Sequence, residues 1–202
     1  MNLKEHFAAW KKDCIKNKKK IYLSIFFLIM AIVLDYISGT YTDRVSSVVA
    51  PDLFLGHFGP MNLTFLFVWA YFFVIVIFFV YPFVFKPNKI HYAIGMFSLF
   101  LVVRSGFMIL THLRVPTDAI PLAPPWGLGI FFFSNDLFFS GHAALPFLGF
   151  LMFKDKRIKY FMLASSIILG LVVLLMHLHY SIDVASAFFI SYGIYKIGNK
   201  LF

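Results

Sequence analysis

The sequence predicts an all-α fold: a polytopic integral membrane protein with six transmembrane helices in one bundle and an amphipathic segment at the N-terminus. Three observations predict it. The 202 residues are 61% hydrophobic and 20% aromatic, with a mean hydropathy of +0.85. A soluble domain averages about 45–50% apolar residues. Six apolar stretches approach the roughly 17–25 residues that cross a bilayer. All fourteen lysines fall on one side of a six-helix trace.

Taken in order, residues 1–20 place Leu3, Phe7, Trp10 and Cys14 at spacings of four, three and four among seven lysines. That is the pattern of a basic helix lying on the anionic cytoplasmic leaflet; a disordered basic tail is the competing reading. A cleavable signal is not expected, because the first apolar run starts only after Lys20 and no small-residue cleavage site follows. The six spans are Ile21 to Ser38, Met61 to Phe85, Ile90 to His112, Leu137 to Phe153 (with Pro146 inside), Ile158 to Met176, and Tyr180 to Gly198. The fourth and sixth begin with polar islands, which lowers their hydropathy. Residues 21–202 therefore form one six-helix membrane domain without an internal repeat.

Charge orients the trace. The lysines occupy the N-terminal segment, the 86–89 and 154–159 loops and the last helical turns, so both termini are expected in the cytoplasm. The other side carries Arg44, Arg104 and Arg114 with six of the nine acidic residues. It faces the periplasm, exterior or a lumen. Its connections, 39–60 and 113–136, are long and proline-containing (Pro116, Pro121 and Pro124-Pro-Trp126), and read as lids on the membrane surface. The net charge of +9 sits in short runs at helix ends, which argues against nucleic acid as a partner. One cysteine forms no internal disulfide.

Three polar features share the outer side: Arg104, the island from Asp136 to His142, and the island from His179 to Asp183. His179 and Asp183 are four residues apart on one helical face. A carboxylate so placed accepts the proton of one imidazole nitrogen and leaves the other free to attack phosphorus. Ser140 can cap the fourth helix, Gly141 lets backbone approach a ligand, and the first amides face an anion. His142 can protonate a leaving alkoxide and then activate an acceptor, and Arg104 has the fork that fits phosphate oxygens. Asp136 positions Arg104 or His142, or merely precedes the helix; Asp35 is expected to snorkel outward.

Each residue has a plainer reading as an interfacial or structural polar group. Yet a charge at the bilayer centre costs about 2.5–3.5 kcal/mol on insertion scales, so unneeded ones are rare. No metal or cofactor is expected: His177-x-His179 lacks a third ligand at suitable spacing, and His57 and His112 read as loop or interface residues. The residues point first to phosphoryl transfer on a membrane phospholipid. A lipid transporter or flippase and a non-catalytic scaffold are the alternatives.

At these residues the chain resembles the sphingomyelin synthase branch of the type 2 phosphatidic-acid phosphatase superfamily. Ala50-Pro-Asp-Leu53 is similar to the family's first motif, and Arg104-x3-Met-x2-Thr-x-Leu-x-Val-Pro116 to the second. Asp136-x3-Ser-Gly-His142 is similar to the third and His179-Tyr-x-Ile-Asp-Val184 to the fourth. The resemblance implies that His179 is the nucleophile of a phosphohistidine mechanism, that Asp183 orients it, and that His142 is the acid/base. It implies phosphate contacts from Arg104, Ser140, Gly141 and Arg114, with Asp136 and Tyr180 in support. The acceptor is a lipid alcohol, such as ceramide or diacylglycerol, or water. The chain departs from the pattern in lacking the Lys-x6-Arg-Pro motif of the soluble-headgroup phosphatases, and in having Arg114 and Ala143 where relatives have Pro and Thr.

Overall fold

The apolar stretches fold into helices whose polar ends meet at one pole of the bundle. A computed structural model describes residues 3–122 and 132–202, and the Pro124-Pro-Trp126 part of the expected lid lies outside the described residues. Among them the regular structure is helical, apart from one isolated parallel bridge between Val48 and Leu113. The helices are α1 (Leu3–Lys16), α2 (Lys18–Val45), α3 (Tyr71–Phe85), α4 (Ile90–Leu110), α5 (Gly141–Met152), α6 (Lys156–Leu175) and α7 (Ser181–Leu201). A π-helical turn, Leu66–Ala70, leads into α3, and 3-10 turns cover Leu55–His57 and Pro87–Lys89.

By length and composition, four helical stretches can cross a membrane: Lys18–Val45, Leu66–Phe85, Pro87–Leu110 and Lys156–Leu175. The two others expected to span differ from these for physical reasons. With 12 residues, α5 is about 18 Å long at 1.5 Å per residue, short of the roughly 30 Å hydrocarbon core. Although α7 has 21 residues, its hydropathy is lowered by Asp183, Asn199 and its serines.

Packing follows the small residues. The main partner of α2 is α4, and α5 lies against both α6 and α7. The core centres on Phe78, Met96, Phe100, Ala143, Ala144, Leu148, Met162 and Ala187, each at most 1% exposed. Two serines stitch the backbone of α5 to its neighbours: Ser166 Oγ of α6 donates to the Ala143 carbonyl at 2.6 Å, and Ser191 Oγ of α7 to the Ala144 carbonyl at 3.1 Å. Hydroxyl-to-carbonyl bonds of this kind hold helices together where lipid offers no hydrophobic drive.

The lysine-bearing ends gather at one pole. Trp10 Nε1 of α1 donates to the Phe83 carbonyl at 2.7 Å, so the N-terminal segment is a helix docked on α3. Tyr92 donates to Asn199 at 2.8 Å, and the Phe202 ring fills the space over Gly95. At the opposite pole the long connections are laced to the ends of α6 and α7. The Met61 amide bonds the Leu175 carbonyl at 2.7 Å, and the Ile120 amide bonds the Met176 carbonyl at 3.0 Å.

Candidate functional site

The end of α6 decides where His179 goes. His177 takes φ of 54°, with its amide on the Leu174 carbonyl and the Leu178 amide on the Val173 carbonyl, both at 2.9 Å. This is the left-handed helix stop usually made by glycine. His177 thus terminates a helix; its Nδ1 lies 2.9 Å from Asp118 Oδ2 and its ring meets Phe58 edge-on. The chain reverses there and delivers His179 just ahead of α7.

Asp183, in the first turn of α7, is fully buried. Its Oδ2 accepts from the Tyr180 amide at 2.9 Å and faces His179 Nδ1 at 3.2 Å. A carboxylate only accepts, so Nδ1 carries a proton, and in the neutral ring Nε2 is then the nitrogen with the lone pair. The Asp183 carbonyl receives the Ser140 amide at 3.1 Å, tying the start of α5 to the first turn of α7. His142 follows two residues later, its ring stacked against Phe67 and Tyr71, within electrostatic reach of His179 and Arg104. Both imidazoles therefore stand at one pole, around the junction of α5 and α7.

Arg104 arrives from α4. Its guanidinium is gripped by Asp136, lies 3.4 Å from Asp35 Oδ1 and 3.3 Å from Met108 Sδ, and Ser105 Oγ donates to the same Asp35 oxygen at 3.5 Å. Asp35 was expected to snorkel outward and instead turns inward to the buried guanidinium, which attracts it more strongly than a distant interface does. Both charges are visible in the sequence, in apolar helices and within three turns of the same pole, but nothing local pairs them. Ser140 also departs from expectation. Its backbone is the N-cap of α5, but its hydroxyl makes no capping bond and, among the described residues, is buried without a partner, as are Asp183 Oδ1 and Asp136 Oδ1.

Gly141 is required by close approach: a Cβ there would lie 3.2 Å from Arg104 Nε and 3.5 Å from the Tyr71 hydroxyl. Since Asp136 and Asp35 hold the guanidinium, it has little room to retreat. Gly141→Ala is therefore expected to lower the thermal unfolding midpoint in detergent by roughly 2–4 °C, about 1 kcal/mol, as the methyl presses on a held guanidinium.

Arg114 enters through its backbone, with its amide on the Val48 carbonyl at 2.8 Å and its carbonyl accepting from the Tyr180 hydroxyl at 2.8 Å; its side chain is exposed. The same Tyr180 oxygen accepts from the Ala50 amide at 3.1 Å. Asp52, two residues on, accepts from the Ser181 amide at 2.6 Å and the Ser181 hydroxyl at 2.8 Å through Oδ2. Its Oδ1 accepts from the Phe54 and Leu55 amides. Residues 50–52 therefore hold the first turn of α7, the turn that His179 precedes. His112, just past α4, lies 3.4 Å from the hydroxyl of Tyr41 near the end of α2, and His57 closes the Leu55–His57 turn.

Partial burial tends to raise the Asp52 carboxyl, but the donors from Ser181, Phe54 and Leu55 outweigh it and hold it below its usual range. The sign follows: its stabilisation is complete above the ordinary carboxyl value of about 3.9 and is lost as pH falls through the lower folded value. Asp52→Asn is expected to lower the unfolding midpoint at pH 7 by roughly 2–4 °C, about 1 kcal/mol for a chain of this length. The gap to wild type should close as pH is taken below 4.

Comparison with known proteins adds one finding. No curated protein and no solved structure matches the chain. Residues 134–200 match the family model described as PAP2 superfamily C-terminal. That segment, a third of the chain, contains Asp136, Ser140, His142, His179 and Asp183, and over it the chain is similar to the C-terminal part of the PAP2 superfamily.

Proposed function

We propose that this protein is a membrane lipid phosphatase or phosphotransferase acting on phospholipid headgroups, similar to the sphingomyelin synthase branch, through a phosphohistidine intermediate. The observation that carries the reading is the His179–Asp183 pair, tied through the Ser140 amide to the helix that bears His142. His179 Nε2 attacks phosphorus while His142 protonates the departing lipid oxygen. Neutral His142 then takes the proton of a lipid alcohol or water, whose oxygen attacks the phosphohistidine and frees His179. The Ser140 hydroxyl, the Gly141 amide and Arg104 Nε receive the phosphate oxygens; Arg114 draws the anion from the exposed rim. Asp136 and Asp35 orient Arg104, and Tyr180 anchors the turn behind His179.

The reading includes six spans, cytoplasmic termini and a site opening to the periplasm, exterior or lumen. Its support is the segregation of the lysine-bearing ends from the pole that holds both histidines. A short α5 then sets His142 below the surface, at the depth where a lipid phosphate enters from the side. The test is to incubate the purified protein with labelled phospholipids, with and without ceramide or diacylglycerol, and follow products by mass spectrometry. Release of phosphate or phosphoalcohol, or its transfer to the added alcohol, is expected. Lipid movement across vesicles without bond cleavage would replace the reading with a flippase.

A further inference from the structure

The ring of His142 is enclosed by two aromatic rings. Its centroid lies 4.0 Å from that of Phe67, with the planes 20° apart, and 4.0 Å from that of Tyr71, with the planes 28° apart. Two rings at that distance cannot share one face of an imidazole, so they cover opposite faces. Phe67 and Tyr71 are four residues apart across the π-helical turn Leu66–Ala70 and the first residue of α3. The widened turn sets both side chains on one side with a gap between them. Such turns are uncommon within α-helices and recur at functional sites.

The two walls are themselves fixed. Phe67 is 6% exposed and packs against Val172, Val173 and Met176, the last turn of α6 before His177 reverses the chain. Tyr71 packs against the main core, and its hydroxyl stands beside Gly141. The gap between the rings is therefore anchored to the same turn that presents His179.

From this arrangement we propose that Phe67 and Tyr71 are positioning residues that hold the His142 imidazole edge-on to the reacting oxygen. The inference rests on the acid/base role given to His142 above. Imidazole exchanges protons through nitrogens on its edge, and with both faces covered the ring cannot turn about its Cβ–Cγ bond without displacing a wall. Departing and accepting oxygens must then arrive in the ring plane. Holding that geometry is worth much of a rate, since a 1 Å misplacement can cost about a hundredfold. Helix propensity alone gives no reason for an aromatic residue at either position; leucine would serve the helix better.

The experiment has two readouts on one set of proteins. Protein labelled with 13C-histidine in nanodiscs gives ring-proton shifts, with His142 assigned by loss of its signals in His142→Asn. Two face-stacked rings shield the imidazole, so the His142 signals are expected upfield of the other histidines. Phe67→Leu and Tyr71→Leu should each move them downfield and lower kcat by about ten- to a hundredfold with KM little changed. Phe67→Tyr and Tyr71→Phe, which keep a ring, should restore both the shift and most of kcat. Wild-type signals without the upfield shift would overturn the proposal. So would leucine variants that lose the shift yet keep wild-type kcat while wild type turns lipid over. A wild type that shows the shift but cleaves no lipid would instead remove the acid/base role, and the positioning proposal with it.

Discussion

Replacing His179 by alanine is expected to abolish headgroup release, lowering kcat by about 10⁴-fold or more. The basis is the absence of a substitute. Asp183 directs the proton of His179 to Nδ1 and leaves Nε2 free, so His179 combines a lone pair with a fixed direction. In the proposed mechanism His142, held between two rings, serves proton transfer, and Ser140 Oγ has no base bonded to it among the described residues. Brief incubation with phosphorus-labelled lipid followed by denaturation should trap an acid-labile, alkali-stable phosphoprotein in wild type and none in His179→Ala. Thermal unfolding of the variant, compared with wild type, separates lost chemistry from lost fold. Wild-type turnover in His179→Ala would remove the phosphohistidine mechanism outright.

Much of the architecture was legible because membranes impose simple rules. Hydropathy located α4 and α6 within about two residues at each end, whereas α2 continues past the expected Ser38 to Val45 and α3 begins at Tyr71, behind the Leu66–Ala70 turn, rather than at Met61. Lysine placement anticipated which helix ends gather together, seen in the Trp10–Phe83 and Tyr92–Asn199 contacts. His179 and Asp183 do meet, but not on one helical face as their spacing suggested: His179 stands ahead of the Tyr180 N-cap, and Asp183 reaches back to it from the first turn of α7. The less legible features depend on contacts distant in sequence. Asp35 and Arg104 are 69 residues apart, and Asp52 and Ser181 are 129 apart. Neither spacing carries a local signature. Phe67 and Tyr71 were two aromatic residues in an apolar run, and only the π-helical turn and the arrival of α5 distinguish them from lipid-facing neighbours such as Phe72 and Phe73. The αL conformation of His177 was hidden for another reason: glycine marks such a stop in sequence, and histidine does not.

Asp183→Asn is expected to lower kcat by about 10²–10³-fold with little change in KM, while stability holds or rises. The carboxylate has two duties in one oxygen, facing His179 Nδ1 and accepting from the Tyr180 amide. An asparagine carbonyl in the place of Oδ2 can keep both, with its NH2 where Oδ1 stands. What it loses is the negative charge, which stabilises the imidazole as it becomes cationic on bonding to phosphorus. Preorganised electrostatic groups of this kind are worth about 10²–10³ in kcat. The fold is protected because the tie to α5 uses the Asp183 carbonyl, which asparagine keeps. A fully buried side chain with one oxygen lacking a partner also loses little when its charge is removed. Reduced turnover at an unchanged or raised unfolding midpoint is therefore the expected pair of results. Full turnover in Asp183→Asn would show that the pair is structural, and an unfolded variant would show that the carboxylate holds α7 rather than the imidazole.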